Sequence, residues 1–168
     1  YDGSTTVCKG SKLTLTALGA KDYWWNEQLV NPLVVQQLNS DNQEYTLKGR
    51  DVNGCENQIT VKTHIQELPT VSIAGEDAVC VGQATTLTAS SNMDVTYLWD
   101  DDQYTMASAI SPITERTRTY RVDVTDKTDL HCKAYATKEV TAKKLPEITI
   151  TGNVAKCAGD PLSLEAES

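Results

Sequence analysis

Apolar and polar residues alternate along most of this chain. Leu13, Leu15 and Ala17 fall on one side of an extended segment and Thr14 and Thr16 on the other; Tyr45 and Leu47 alternate with Thr46 and Lys48, and Ile59 and Val61 with Thr60 and Lys62. Further on, Tyr120, Val122 and Val124 alternate with Arg121, Asp123 and Thr125. A period of two in β-branched and aromatic residues describes strands with one face buried. No stretch carries the 3.6-residue apolar stripe of an amphipathic helix. Turn-forming residues divide the strands at Asn31-Pro32, Asn39-Ser40-Asp41-Asn42, Asp51-Val52-Asn53-Gly54 and Ser111-Pro112. The expected fold is all-β, with about seven short antiparallel strands packed as two sheets in each unit.

The pattern repeats. Cys8-Lys9-Gly10 leads into Leu13-Thr14-Leu15-Thr16-Ala17, Cys80-Val81-Gly82 into Thr86-Leu87-Thr88-Ala89, and Cys157-Ala158-Gly159 into Leu162-Ser163-Leu164-Glu165-Ala166. Leu68-Pro69-Thr70-Val71-Ser72-Ile73 is matched by Leu145-Pro146-Glu147-Ile148-Thr149-Ile150, Tyr23-Trp24-Trp25 by Tyr97-Leu98-Trp99, and Glu44-Tyr45-Thr46-Leu47 by Thr119-Tyr120-Arg121-Val122. A period of roughly 75 residues is that of one small β-domain. The chain therefore divides into a first unit at 1–67 with an incomplete first strand, a second at 68–144, and the opening of a third at 145–168. The third stops short of its Trp and its second Cys, so its tail is expected to be poorly ordered or docked as an edge strand, and the whole to be a piece of a longer array. Trp25 and Trp99 are the expected core aromatics, each enlarging a core that is small for its surface.

The chain has 168 residues, 15 basic against 23 acidic, and a net charge of −8. That balance disfavours nucleic acid and anionic lipid as partners, and no apolar run approaches the roughly 18 residues of a membrane helix, so direct membrane insertion is not expected. The opening Tyr1-Asp2-Gly3-Ser4-Thr5 lacks the basic and apolar regions of a signal peptide, which places any export signal elsewhere. The five cysteines, Cys8, Cys55, Cys80, Cys132 and Cys157, are too far apart for a zinc knuckle, and His64 and His131 do not complete one. Long Cys–Cys separations fit disulfides made in an oxidising space outside the cytoplasm. The expected bridges are Cys8–Cys55 and Cys80–Cys132, each tying the end of its own unit, with Cys157 a free thiol.

The succession Cys-x-Gly, Leu-Thr-Ala, Tyr-x-Trp, a Tyr strand, Asp51-Val52-Asn53-Gly54-Cys55 and Leu-Pro resembles the immunoglobulin-like or PKD-like repeats of very large Bacteroidetes surface proteins. The resemblance implies tandem immunoglobulin-like β-sandwiches on an exported adhesin or gliding-type protein, often one bearing a type IX secretion signal. The second unit departs from the pattern in the longer, glycine-free stretch Asp126-Lys127-Thr128-Asp129-Leu130-His131-Cys132.

A reaction centre is not expected. A Ser or Cys nucleophile needs a positioned base; His64 lies in an alternating strand and His131 adjoins a cysteine. Paired-carboxylate glycosidase chemistry needs a deep cleft that two small sandwiches seldom make. The acidic groups Asp100-Asp101-Asp102, Asp123, Asp126 and Asp129, and Asp51 with Asn53, read as solvated loops, with calcium between repeats as the alternative. No other cofactor is expected. Trp24, like Leu98, alternates away from the core, so its ring either stacks on a glycan or protein, with Asp22, Asn26 or Glu27 nearby, or is covered by its neighbours. The functional expectation is a non-enzymatic stalk or adhesion segment at the cell surface or secreted, partnered by neighbouring repeats. A glycan- or protein-binding module, accessory to a secreted enzyme in one version, is the alternative. Linkers of about one to three residues at Leu-Pro should restrict the angle between units.

Overall fold

A computed structural model of the chain describes residues 1–100, 105–152, 157–159, 161 and 164–167. Asp101 and Asp102 lie outside the described residues. The fold is all-β, and no helix occurs among the described residues.

The first seven strands are β1 (Thr6–Cys8), β2 (Leu13–Leu15), β3 (Asp22–Trp25), β4 (Gln28–Leu29), β5 (Leu33–Val35), β6 (Gln43–Arg50) and β7 (Glu56–Gln66). One sheet runs β1-β7-β6-β3-β4; β2 pairs with β5, and an isolated bridge joins Asp2 to Thr16. The alternation read from sequence sorts the faces. Leu13, Leu15, Ala17, Trp25, Leu38, Tyr45, Leu47 and Val61 are buried together. Tyr23 packs against them and closes its own polar end, its Oη donating to the Ala20 carbonyl and accepting from the Ala20 N–H, both at 2.7 Å. Ile59, expected inward with Val61, is instead 44% exposed and lines a shallow hollow with Leu18, Leu47 and Cys55.

The second set comprises β8 (Val71–Ala74), β9 (Ala78–Cys80), β10 (Gln83–Ala84), β11 (Leu87–Ser91), β12 (Val95–Trp99), β13 (Ala109–Ile110), β14 (Ile113–Thr114), β15 (Arg118–Asp126) and β16 (Lys133–Lys143). Sheets β12-β15-β16-β9 and β13-β11-β8 enclose a separate core of Leu87, Ala89, Val95, Trp99, Ile110, Tyr120, Val122, Val124 and Val140, with β10 and β14 paired at its side. Trp99 is fully buried and its Nε1 donates to the Ala107 carbonyl at 3.0 Å. Four residues, Glu67 to Thr70, separate β7 from β8, slightly more than the sequence suggested.

The two sets share pairing geometry, not merely strand order. The short β1 runs parallel to β7, with Cys8 opposite Gln66; β9 runs parallel to β16, with Cys80 opposite Lys143. After Lys143, β17 (Thr149–Gly152) pairs antiparallel with β18 (Leu164–Glu167). Its matches, Thr149 with Glu167, Ile150 with Ala166 and Thr151 with Glu165, reproduce those of Ser72 with Ser90, Ile73 with Ala89 and Ala74 with Thr88. Among the described residues the tail therefore pairs with itself and does not extend a sheet of the second sandwich as an edge strand.

A glycine that sequence reasoning passed over marks the end of each opening strand. Gly3, Gly75 and Gly152 have φ of 119°, 147° and 147°. A Cβ on Gly75 would stand 2.6 Å from the Thr86 carbonyl oxygen and 2.7 Å from a Leu87 methyl; one on Gly3 would stand 2.5 Å from the Thr14 oxygen. Backbone meets backbone here, and only glycine adopts the required φ without strain. Gly75→Ala is expected to destabilise the second sandwich by roughly 2–3 kcal/mol. In urea unfolding the midpoint should drop with the slope unchanged; an unaltered midpoint would refute the close approach.

Candidate functional site

Two regions of this fold concentrate chemistry: the ends of the sandwiches, where the cysteines lie, and the outer face of the first large sheet, where Trp24 lies.

The cysteines follow from strand direction. Because β1 is parallel to β7, Cys8 lies at the end of the first sandwich where the chain leaves it. Cys55 immediately precedes β7 and so lies at the opposite end. An eleven-residue strand spans roughly 35 Å at about 3.3 Å per residue, whereas a disulfide requires Cα atoms within about 7 Å. The same strand length separates Cys80 from Cys132 in the second sandwich. The expected bridges Cys8–Cys55 and Cys80–Cys132 are therefore not formed. Cys8 is bonded instead to Cys132, with their Cα atoms 5.6 Å apart, while Cys55 and Cys80 carry exposed thiols. Cys157 is likewise an exposed thiol. The bond joins the C-terminal end of the first sandwich to the N-terminal end of the second, where Val71 enters, Thr70 N–H donates to Asn92 Oδ1 at 2.8 Å, and the turn between β15 and β16 closes.

The carboxylates read as solvated loops or calcium ligands do something more specific. Asp51 Oδ1 accepts the N–H groups of Asn53 at 2.8 Å and Cys55 at 2.9 Å. Asp126, buried, uses its Oδ1 for the N–H of Thr128 at 3.1 Å, the Thr128 hydroxyl at 2.7 Å and the N–H of Cys132 at 3.2 Å. Main-chain bonds from Asp51 N–H to the Cys55 carbonyl and from Asp126 N–H to the Cys132 carbonyl complete each turn. In both sandwiches an aspartate thus clamps the turn that presents the second cysteine. The sequence signal was an Asp shortly before that cysteine in each unit. Asp123 lies in the strand and pairs with Arg121 at 2.6 Å, and Asp129 is exposed in the turn. Among the described residues no three His, Cys, Asp or Glu gather as metal ligands.

The histidines are held in structural settings. His64 Nδ1 lies 3.3 Å from Asp41, whose Oδ1 also accepts the Ile65 N–H. His131 occupies a left-handed turn position with φ 51°, its Nδ1 3.4 Å from the Asp126 carbonyl.

Trp24 does point away from the core, and the chain itself covers it. Arg50 and Lys48, adjacent on β6, hold their cationic ends 5.1 and 5.6 Å from the ring centroid. Asp22 fixes Arg50 through contacts of 3.2 Å to Nε and 2.8 Å to Nη2. This pairing raises the guanidinium's pKa above its already high ordinary value, chiefly through the side-chain hydrogen bond to Asp22. Asn26 and Glu27 form the tight turn between β3 and β4 with φ of 47° and 66°, and Asn26 Oδ1 accepts the Thr46 N–H at 2.9 Å. Of the residues proposed for a ligand around Trp24, Asp22 and Asn26 thus have side chains engaged in holding the sheet, while Glu27 serves the turn through its backbone. The counterpart Leu98 is 42% exposed, and beside it Arg121 stacks 4.0 Å from the Tyr135 ring.

Comparison with known proteins shows no matching family and no matching curated protein. Among solved structures, the chain is similar to fibronectin(III)-like modules of Clostridium thermocellum CbhA, at 9% identity over 84% of this chain and 90% of that one, with a TM-score of 0.38. It is similar to the insect immune protein hemolin at 13% identity over 86% of this chain and 45% of that one, TM-score 0.37. It is also similar to immunoglobulin domains 1–5 of Sidekick-1 at 16% identity over 91% and 42%, TM-score 0.36. The chain spans less than half the length of the latter two. At these identities and TM-scores nothing about this chain's role is drawn from the likeness.

Two outcomes test the site. Trp24→Ala should lower the stability of the first sandwich by roughly 1–2 kcal/mol in urea unfolding, because the ring supports two cations and the outer sheet face; a neutral result would free the ring for another role. The Cys55 and Asn53 N–H groups hold the Asp51 carboxyl below the usual carboxylate range. The clamp is therefore complete above the unfolded carboxyl's ordinary pKa of about 4 and is lost as pH falls through the lowered folded value. In Asp51→Ala the protection of the Cys55 amide against exchange should fall roughly fivefold at neutral pH and should no longer change with acid in this range.

Proposed function

We propose that this chain is a non-enzymatic building segment of an exported bacterial surface array, in which β-sandwich modules are tied end to end to project or adhere. The single observation that carries this is the Cys8–Cys132 bond, which links one sandwich to the next and leaves neither tied to itself. A covalent tie beside a four-residue linker gives two attachments between adjacent modules, and two attachments restrict pivoting where one does not. The two cores are separate, so each module folds around its own tryptophan. A closed disulfide belongs to an oxidising compartment, and no helix among the described residues is long and apolar enough to cross a membrane; both accord with an extracellular or secreted setting. The repeated Cys-x-Gly, Tyr-x-Trp and Leu-Pro order supports the likeness to large bacterial surface proteins. An adhesive role for Trp24 is subordinate here, since Lys48 and Arg50 already engage its ring.

Cys8→Ser tests the reading. Small-angle scattering of the oxidised chain should show a narrow distribution of overall dimensions. The variant should broaden it, and each sandwich should keep its fold by far-ultraviolet circular dichroism. Identical scattering from both proteins would show that the bond does not set the relation between modules.

A further inference from the structure

We infer that Cys55 and Cys80 are linkage points for further modules of this same type: Cys80 for the turn cysteine of the module that follows, and Cys55 for the strand-end cysteine of a module that precedes. The inference names the partner of the stapled array proposed above and rests on that reading.

Cys80 reproduces the setting of Cys8. Each closes a short strand parallel to the last strand of its sandwich, and the next N–H in each case bonds the same carbonyl that faces the cysteine: Lys9 to Gln66 at 2.8 Å and Val81 to Lys143 at 2.9 Å. Each therefore lies where the chain departs for the next module. Cys55 reproduces the setting of Cys132, in a turn clamped by an aspartate. The two turns differ in cover. Cys132, met by Cys8, is 1% exposed, whereas Cys55 is exposed. Around Cys55 the unoccupied end of the first sandwich also exposes Leu18, Val52 and Ile59, and Leu18 and Ile59 share a shallow hollow with Cys55. That is an apolar end lacking the neighbour that its counterpart has.

The third module has begun in the right form. Its first strands pair as β8 and β11 do, and Cys157-Ala158-Gly159 repeats Cys80-Val81-Gly82, with φ of 98° at Gly159 and 84° at Gly82. Completion would carry its own turn cysteine to the end at which Cys80 waits. Each new S–S bond removes two protons and two electrons from two thiols. A donor disulfide such as oxidised glutathione accepts both by exchange and leaves as two thiols.

The pairing matches put Glu167 in step with Ser90, so by sequence count a copy of residues 92–144 appended to the full 168-residue chain completes the third module. Asp129→Glu in the copied segment marks its cysteine by mass. After oxidation in a glutathione buffer, a non-reducing peptide map should show Cys8–Cys132 together with Cys80 linked to the marked cysteine, and alkylation of Cys80 should be lost. In the 168-residue chain alone, Cys80 should alkylate fully. A second chain, with a copy of residues 68–149 placed before Tyr1, tests the other end independently: Cys55 should become protected through the copied Cys80. Alkylatable Cys80 or Cys55 in these folded extended chains, with Cys8–Cys132 closed, would overturn the inference and leave the staple reading standing. Bonds Cys8–Cys55 or Cys80–Cys132 would overturn both.

Discussion

The last strand of each sandwich is eleven residues long, and the short strand that ends in a cysteine, β1 or β9, lies parallel to it. Those two facts set cysteine chemistry for the whole molecule. Parallel pairing carries the first cysteine to the far end of the long strand, while chain order leaves the second cysteine at its start. A disulfide cannot reach across roughly 35 Å, so a module cannot close on itself. The available partner is the one that the next module brings to the junction, and Cys8–Cys132 is that bond.

Around this constraint the rest of the fold is conventional two-sheet packing. Each core is built from alternating residues of facing strands with one tryptophan fully enclosed, Trp25 in the first and Trp99 in the second. Burial of such a side chain is worth roughly 3–5 kcal/mol when lost to alanine, a large share of what a domain this small can hold. The disulfide adds a different kind of contribution, since it acts on the unfolded chain. Closing a loop between cysteines 124 positions apart removes roughly 5 kcal/mol of unfolded-state entropy in the chain-entropy account.

Much of this was legible in the sequence. Leu13, Leu15, Ala17, Tyr45, Leu47, Val61, Tyr120, Val122 and Val124 all face a core as their period-two alternation requires, because alternation is a local property that burial on one face enforces. Trp24 on the outer face followed for the same reason. What the sequence could not reveal was which end of a strand a residue occupies relative to a distant one. Cys8 precedes β2, and nothing local shows that it first runs parallel to β7, so a bridge within the unit was the natural expectation and the wrong one. Ile59 obeys the alternation yet stays exposed, since pattern gives the face and not how fully that face is covered. Asp51 and Asp126 were visible as acidic residues, but their grip on the cysteine N–H is a matter of turn geometry. Gly3, Gly75 and Gly152 stand at the same place in the three units, but for Gly3 and Gly75 the need for glycine appears only once the strand facing each is in position.

The bond between Cys8 and Cys132 also changes how the molecule would respond to being stretched. Tension applied at its two termini would pass from residue 8 directly to residue 132 through sulfur, bypassing everything between them, including both buried tryptophans and every strand from β2 to β15. Those strands can lose their packing, but they cannot pay out as slack while the bond holds. A tether made this way would gain little contour length under load, and a reductant would act as the release that lets it lengthen.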